Sequence, residues 1–138
     1  MKLLKNKWFL VALFTILLAA LFFVRQRNIY QIDTSRVDRI TFEDRPITRE
    51  LTAEETEKFI ILFNSAAYAG KATGDGGTPD YNFTVYFKDG SYMGVNDFNS
   101  MGKDFEVSVY NPLKIEIAWY YVDSQSLLNF MHKLADQS

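Results

Sequence analysis

One stretch constrains the chain more than any other. Residues 8–24, WFLVALFTILLAALFFV, run without a charge, a proline or a glycine. As a helix they would extend roughly 25 Å, at the short end of what a bilayer core of about 30 Å demands. Lys7 and Arg25 bracket the run, and such side chains can reach back toward an interface. Trp8 stands where an interfacial aromatic is expected. Three readings compete: an uncleaved signal-anchor, a cleaved secretory signal and a buried core helix. A secretory signal needs a small-x-small cleavage site. The sequence offers only Ala19-Ala20, with Leu18 at the wrong place and four more apolar residues after it. All-round hydrophobicity with basic flanks speaks against a core helix. The expectation is therefore a single-pass transmembrane signal-anchor over residues 1–27. Trp8, Leu10, Phe14, Leu17, Leu21, Phe23 and Val24 would make its lipid contacts, with the membrane as a partner through residues 8–24.

Charge divides the chain at the same place. The first 28 residues hold five Lys and Arg and no carboxylate. The remainder holds ten Lys and Arg against seventeen Asp and Glu, a net charge of −7. The basic leader favours an N-terminus inside. The expected localisation is the cell membrane, with the N-terminus cytoplasmic and an extracytoplasmic C-terminal domain. An acidic domain repels nucleic acid, so no nucleic-acid partner is expected. The chain has no cysteine, which removes disulfides, a thiolate metal site and a Cys nucleophile.

Residues 28–35 read as a polar tether and residues 36–138 as one domain. Val37, Ile40 and Phe42 mark a first strand, with imperfect alternation. The turn Glu43-Asp44-Arg45-Pro46 returns it. Thr52-Ala53-Glu54-Glu55 matches a capping box, followed by Phe59, Leu62, Phe63 and Ala66 at helical spacing. Residues 69–80, AGKATGDGGTPD, read as a glycine-rich loop, in which Asp75 and Asp80 are candidate ligand carboxylates. The fixed spacing of a calcium loop is missing. Strands then alternate at Tyr81, Phe83, Val85 and Phe87, through Asp89-Gly90 to Ser91–Val95, at Phe105, Val107 and Val109, and at Ile115, Ile117, Trp119 and Tyr121. Asp123 is the expected cap of a last helix carrying Leu127, Leu128, Met131 and Leu134. The expected fold is α+β: an N-terminal transmembrane helix, then an antiparallel sheet of five to six strands with two helices packed on one face.

No catalytic signature emerges. His132 is the lone histidine and sits near a helix C-terminus, where a cation is favourable without being a ligand. No metal site and no cofactor are expected. Glu106 and Glu116 could face each other across neighbouring strands. The more informative set is aromatic. Strand alternation turns Tyr86, Tyr92, Tyr110 and Tyr120 to the polar face, as a candidate binding surface.

The stretch at 79–90, PDYNFTVYFKDG, together with residues 51–63 and 120–134, resembles the small extracytoplasmic domains of uncharacterised Gram-positive (Firmicute) lipoproteins and single-pass membrane proteins. The chain departs from lipoprotein members in carrying a helix where they carry a lipidated Cys. The resemblance implies location and fold and transfers no catalytic residue. The expected function is a non-catalytic binding, sensor or accessory domain engaging another cell-envelope component, most simply an envelope protein. One alternative is a small hydrolase using the loop or sheet carboxylates. The other is a scaffold subunit that assembles with a membrane complex through the N-terminal helix.

Overall fold

The computed structural model describes residues 6–27, 29–74, 78–97 and 102–138, with the side chains of 24–27 outside that description. Helix α1 spans Lys7–Arg27. Strands β1 (Val37–Asp44) and β2 (Ile47–Glu50) form a hairpin, followed by α2 (Ala53–Asn64) and β3 (Ala67–Lys71). Then come β4 (Tyr81–Phe87), β5 (Tyr92–Asp97), β6 (Phe105–Tyr110), β7 (Glu116–Asp123) and α3 (Gln125–Ala135). The seven strands make one sheet, ordered β2-β1-β4-β5-β6-β7-β3, and every neighbouring pair is antiparallel.

The structure corrects three expectations. Among the described residues, no helix is long and apolar enough to cross a membrane. The described side chains of α1 run uncharged from Trp8 to Phe23, roughly 24 Å of helix against a hydrocarbon core of about 30 Å. The single-pass transmembrane assignment, and the membrane localisation built on it, are withdrawn on that ground. Trp8, Leu10, Phe14, Leu17, Leu21 and Phe23 are all exposed, and the side chain of Val24 lies outside the described residues. Second, the described part of 28–35 is no free tether. Ile29 and Ile32 are buried in the main core. The Tyr30 N–H donates to the Tyr120 hydroxyl at 2.9 Å. Asn64, at the end of α2, grips Ile32 twice: its Oδ1 accepts from the Ile32 N–H at 2.8 Å and its Nδ2 donates to the Ile32 carbonyl at 3.0 Å. Third, among the described residues the sheet has seven strands. The added one is β3, at the edge against β7; it occupies residues read as the end of a helix and the start of a loop.

The core forms where the sheet's apolar face meets the helices. Ile40, Phe42, Phe83, Val85, Met93, Val95, Phe105 and Val107 point inward and are buried. Both α2 and α3 cover this side, as expected. Phe59 of α2 lies 4.6 Å from Phe83, ring centre to ring centre, and Phe130 of α3 stacks on the same ring at 6.3 Å. Residues 29–32 complete the cover.

Helix starts follow local chemistry. The Thr52 hydroxyl accepts from the Glu55 N–H, and the Glu55 carboxylate accepts from the Thr52 N–H, the full capping box. Arg49 adds a two-point ion pair to the same carboxylate at 2.9 and 3.0 Å. Hydrogen bonding to Arg49 leads in holding Glu55 down at about 2, from 4.5. For α3 the cap is Ser124, one residue later than expected, whose hydroxyl accepts from the Leu127 N–H. Asp123 instead accepts from the Asp104 N–H at 3.1 Å, and Asp104 accepts from the Ser124 N–H at 2.8 Å. That reciprocal pair locks the start of β6 to the end of β7.

Candidate binding face

The sheet's other face is set by the same alternation and read through its register. Arg39 pairs with Tyr86, Tyr86 with Tyr92, Tyr92 with Tyr110, and Tyr110 with Glu116. These five residues form a straight row across five strands, with a cation at one end and a carboxylate at the other. The Arg39 guanidinium lies 4.2 Å from the Tyr86 ring centre, a cation–π geometry. Tyr92 and Tyr110 stack at 4.6 Å with ring planes 11° apart. The Tyr110 hydroxyl donates to Glu116 Oε1 at 3.3 Å. Burial, then the Glu116 charge, push the Tyr110 phenol up from its usual value. All three tyrosines are half-buried. Tyr86 and Arg39 also line a shallow groove of about 400 Å³, continued by Asp38, Lys88, Gly90 and Ser91.

The next row across the face, Thr41–Thr84–Gly94–Ser108–Trp119, is small and neutral until Trp119. Beyond it come Asn82, Asn96, Glu106 and Tyr121. A tyrosine ridge therefore borders a low strip of hydroxyl and amide groups. Such a surface offers flat apolar contact and neutral hydrogen bonding together, the combination enriched at protein interfaces.

Tyr120 does not belong to this face. A β-bulge inserts Ile117 into β7, since Val109 pairs with Ala118 while Tyr110 pairs with Glu116. One extra residue flips every later side chain to the other side. Tyr120 turns inward opposite Val107 and is buried, and burial pushes its phenol up to about 12. Trp119 and Tyr121, expected inside, turn outward instead. They are not bare. Tyr121 packs with Ala72, Ala69 and Trp119, and the Thr73 N–H donates to the Tyr121 hydroxyl at 3.2 Å. Gly74 crosses Trp119 so closely that a Cβ there would sit 2.8 Å from the indole. The chain leaving β3 thus covers the β7 end of the outer face and leaves the tyrosine row open.

The remaining candidates are not brought together. Asp75 lies outside the described residues, and Asp80 is exposed at the far end of the sheet. Glu106 pairs with Tyr121 and Glu116 with Tyr110, so the two glutamates do not face each other. Asp97, unremarked in the sequence, is held above the usual carboxylate range by burial first and then by the nearby Asp80 charge. His132 is exposed, its ring 6.1 Å from that of Tyr81. Among the described residues no group of three His, Cys, Asp or Glu could hold a metal ion.

Strand alternation already turns Glu116 to the same face as the tyrosines, but reasoning from sequence alone missed Arg39 and did not make Arg39 and Glu116 the ends of one row. The available signal was their phase: each sits one strand outside a polar-face tyrosine, at a position the alternation turns outward. No family model, curated protein or solved structure matches the chain.

Proposed function

We propose that the domain is a non-catalytic binding or accessory module that engages another protein through the outer sheet face, with Tyr86, Tyr92 and Tyr110 as contact residues. The observation that carries this reading is the row itself. Three tyrosines fall in register between Arg39 and Glu116, on a face the helices leave open. Tyrosine supplies rigid, amphipathic contact area at low entropic cost, and the terminal charges would fix a partner's orientation. The resemblance at 79–90 directs the search toward proteins of the cell envelope.

The test is site-specific. A photo-crosslinking residue at position 92 should give one discrete adduct in cells. The same residue at position 54, on the helical side, should give none. Tyr86→Ala with Tyr110→Ala should abolish the adduct while leaving the circular dichroism spectrum unchanged. Equal adducts from both positions would remove the face from consideration.

A second reading rests on α1, whose apolar side chains are exposed from Trp8 to Phe23: a scaffold subunit that assembles through this helix. Exchange of α1 for an unrelated apolar helix separates the two. The adduct at position 92 survives under the first reading and disappears under the second.

A further inference from the structure

One end of the sheet gathers the features of a lipid-facing surface. It is the end where β4 and β6 finish and β5 and β7 begin. Two turns lie side by side there. Gly90 holds the β4–β5 turn at a φ of +89°, and a Cβ on it would lie 3.9 Å from the Cβ of Pro112 in the β6–β7 turn. The second turn is apolar at its surface. Leu113 is 78% exposed, Ile115 57% and Ile117 59%. Three large aliphatics so exposed within five residues are not placed for the core; the following strand, β7, buries Tyr120 and Val122 instead. Large aliphatics exposed together at one end of a sheet mark an interaction site.

The charges say what it meets. Lys88 and Lys114 stand on the two turns, beside the aliphatic group. Arg36 and Arg39 lie at the same end, paired with Asp89 at 3.2 Å and Asp38 at 3.0 Å. The opposite end is acidic. Asp44, Asp97 and Asp123 finish their strands there, with Asp80 and Asp104 next to them. The domain is thus polarised in net charge: Arg36, Arg39, Lys88 and Lys114 outnumber Asp38, Asp89 and the exposed Glu116 at the aliphatic end, whereas at the other end the five carboxylates outnumber Arg45 and Lys103. Residues 30–36 run along the first end: the Tyr30 ring lies 6.1 Å from Phe87, and the Lys88 N–H donates to the Arg36 carbonyl at 2.9 Å.

We infer that this end of the domain docks on an anionic lipid surface. Leu113, Ile115 and Ile117 enter the headgroup layer, and Lys88 and Lys114 pair with lipid phosphates. Apolar insertion flanked by lysines is how peripheral elements hold such a surface. The acidic end then points away, as repulsion by the same headgroups requires. Docking of this kind needs no helix to cross the bilayer and does not depend on the tyrosine row having a partner.

The chain lacks cysteine, so a single introduced Cys can carry an environment-sensitive fluorophore. The full chain labelled at Leu113→Cys, and separately at Asp80→Cys and Phe14→Cys, is mixed with vesicles of equal parts phosphatidylglycerol and phosphatidylcholine. Docking predicts a blue-shifted, several-fold brighter signal from position 113 and no change from position 80. Lys88→Glu with Lys114→Glu should cut the response at 113 several-fold, as should pure phosphatidylcholine vesicles. A label at Asn111→Cys in a chain carrying Leu113→Asp and Ile115→Asp should stay in water. The inference is overturned if position 14 responds while 113 remains in water, or if 113 and 80 respond alike.

Discussion

The two sides of the sheet use aromatic residues in opposite ways. Inside, Phe42, Phe59, Phe63 and Phe83 are sealed from solvent, at most 1% exposed; Phe42 and Phe59 meet Phe83 at tilted angles, and Phe63 stacks on Phe59. Outside, tyrosines stand in a register row with their hydroxyls reaching solvent or a carboxylate. The inner set stabilises by removing apolar area from water. The outer set stabilises through cross-strand pairs worth far less each, and keeps a surface that can bind. What separates the sides is the absence of a second layer over the row, since the composition of the two aromatic sets differs by little more than a hydroxyl.

This contrast can be broken by mutation, starting where the effect is greatest. Phe83→Ala empties the point where α2, α3 and β1 converge, and should cost about 3–5 kcal/mol. Urea unfolding measures it; a loss no larger than that of an outer tyrosine would erase the distinction. Acid acts next, on the helical cover. Glu55 titrates at about 2 in the folded chain and about 4.5 when unfolded. Its folded pKa is depressed, so its contribution is complete above the unfolded value and lost as pH falls from about 4.5 toward 2. With partial exposure of the pair discounted, roughly 1–2 kcal/mol should disappear over that window. Glu55→Gln should flatten that part of the stability-versus-pH curve.

Tyr120→Phe probes the tyrosine that changed sides. It removes the acceptor for the Tyr30 N–H and should cost on the order of 1–2 kcal/mol, because a part-buried donor is left unpaired. A neutral result would mean that the hydroxyl contributes nothing to holding residues 29–32. The smallest effects belong to the open row. Tyr92→Ala and Tyr110→Ala should each shift stability by under about 1 kcal/mol, with a coupling of about 0.5–1.5 kcal/mol from the stacked rings in a double-mutant cycle. A larger stability loss, without loss of the adduct at position 92, would make the row structural sheet chemistry alone.

Much of this architecture was legible in local pattern. The Thr52–Glu55 box, the Asp89-Gly90 turn and the alternation through β4 and β6 are short-range signals, and each lies where its chemistry puts it. The failures share one cause. At β7 an inserted residue is invisible to alternation, because Ile115, Trp119 and Tyr121 look as apolar as a core face should. At β1 the same device, a shift between Val37 and Arg39, explains why Val37, Ile40 and Phe42 alternate imperfectly. At β3, Ala67, Tyr68 and Ala69 carry little strand signal, and pairing with β7 decides their state. The N-terminal segment was read as a span although its length already stood at the short end of what a bilayer demands. The burial of Ile29 and Ile32 becomes visible only in the folded core.

Sequence by itself determined the class and the chemistry: an α+β chain with an apolar N-terminal helix, a capped helix, alternating strands, an acidic domain and no thiol. These follow from composition and from spacings of two to four residues, which the backbone geometry fixes directly. Tertiary structure alone decided which tyrosines share a face, that Arg39 and Glu116 end their row, and which surface the leaving chain of β3 covers. Register is a relation between strands, and a single bulge reverses it. No count along one strand can therefore determine what its neighbour will bring alongside.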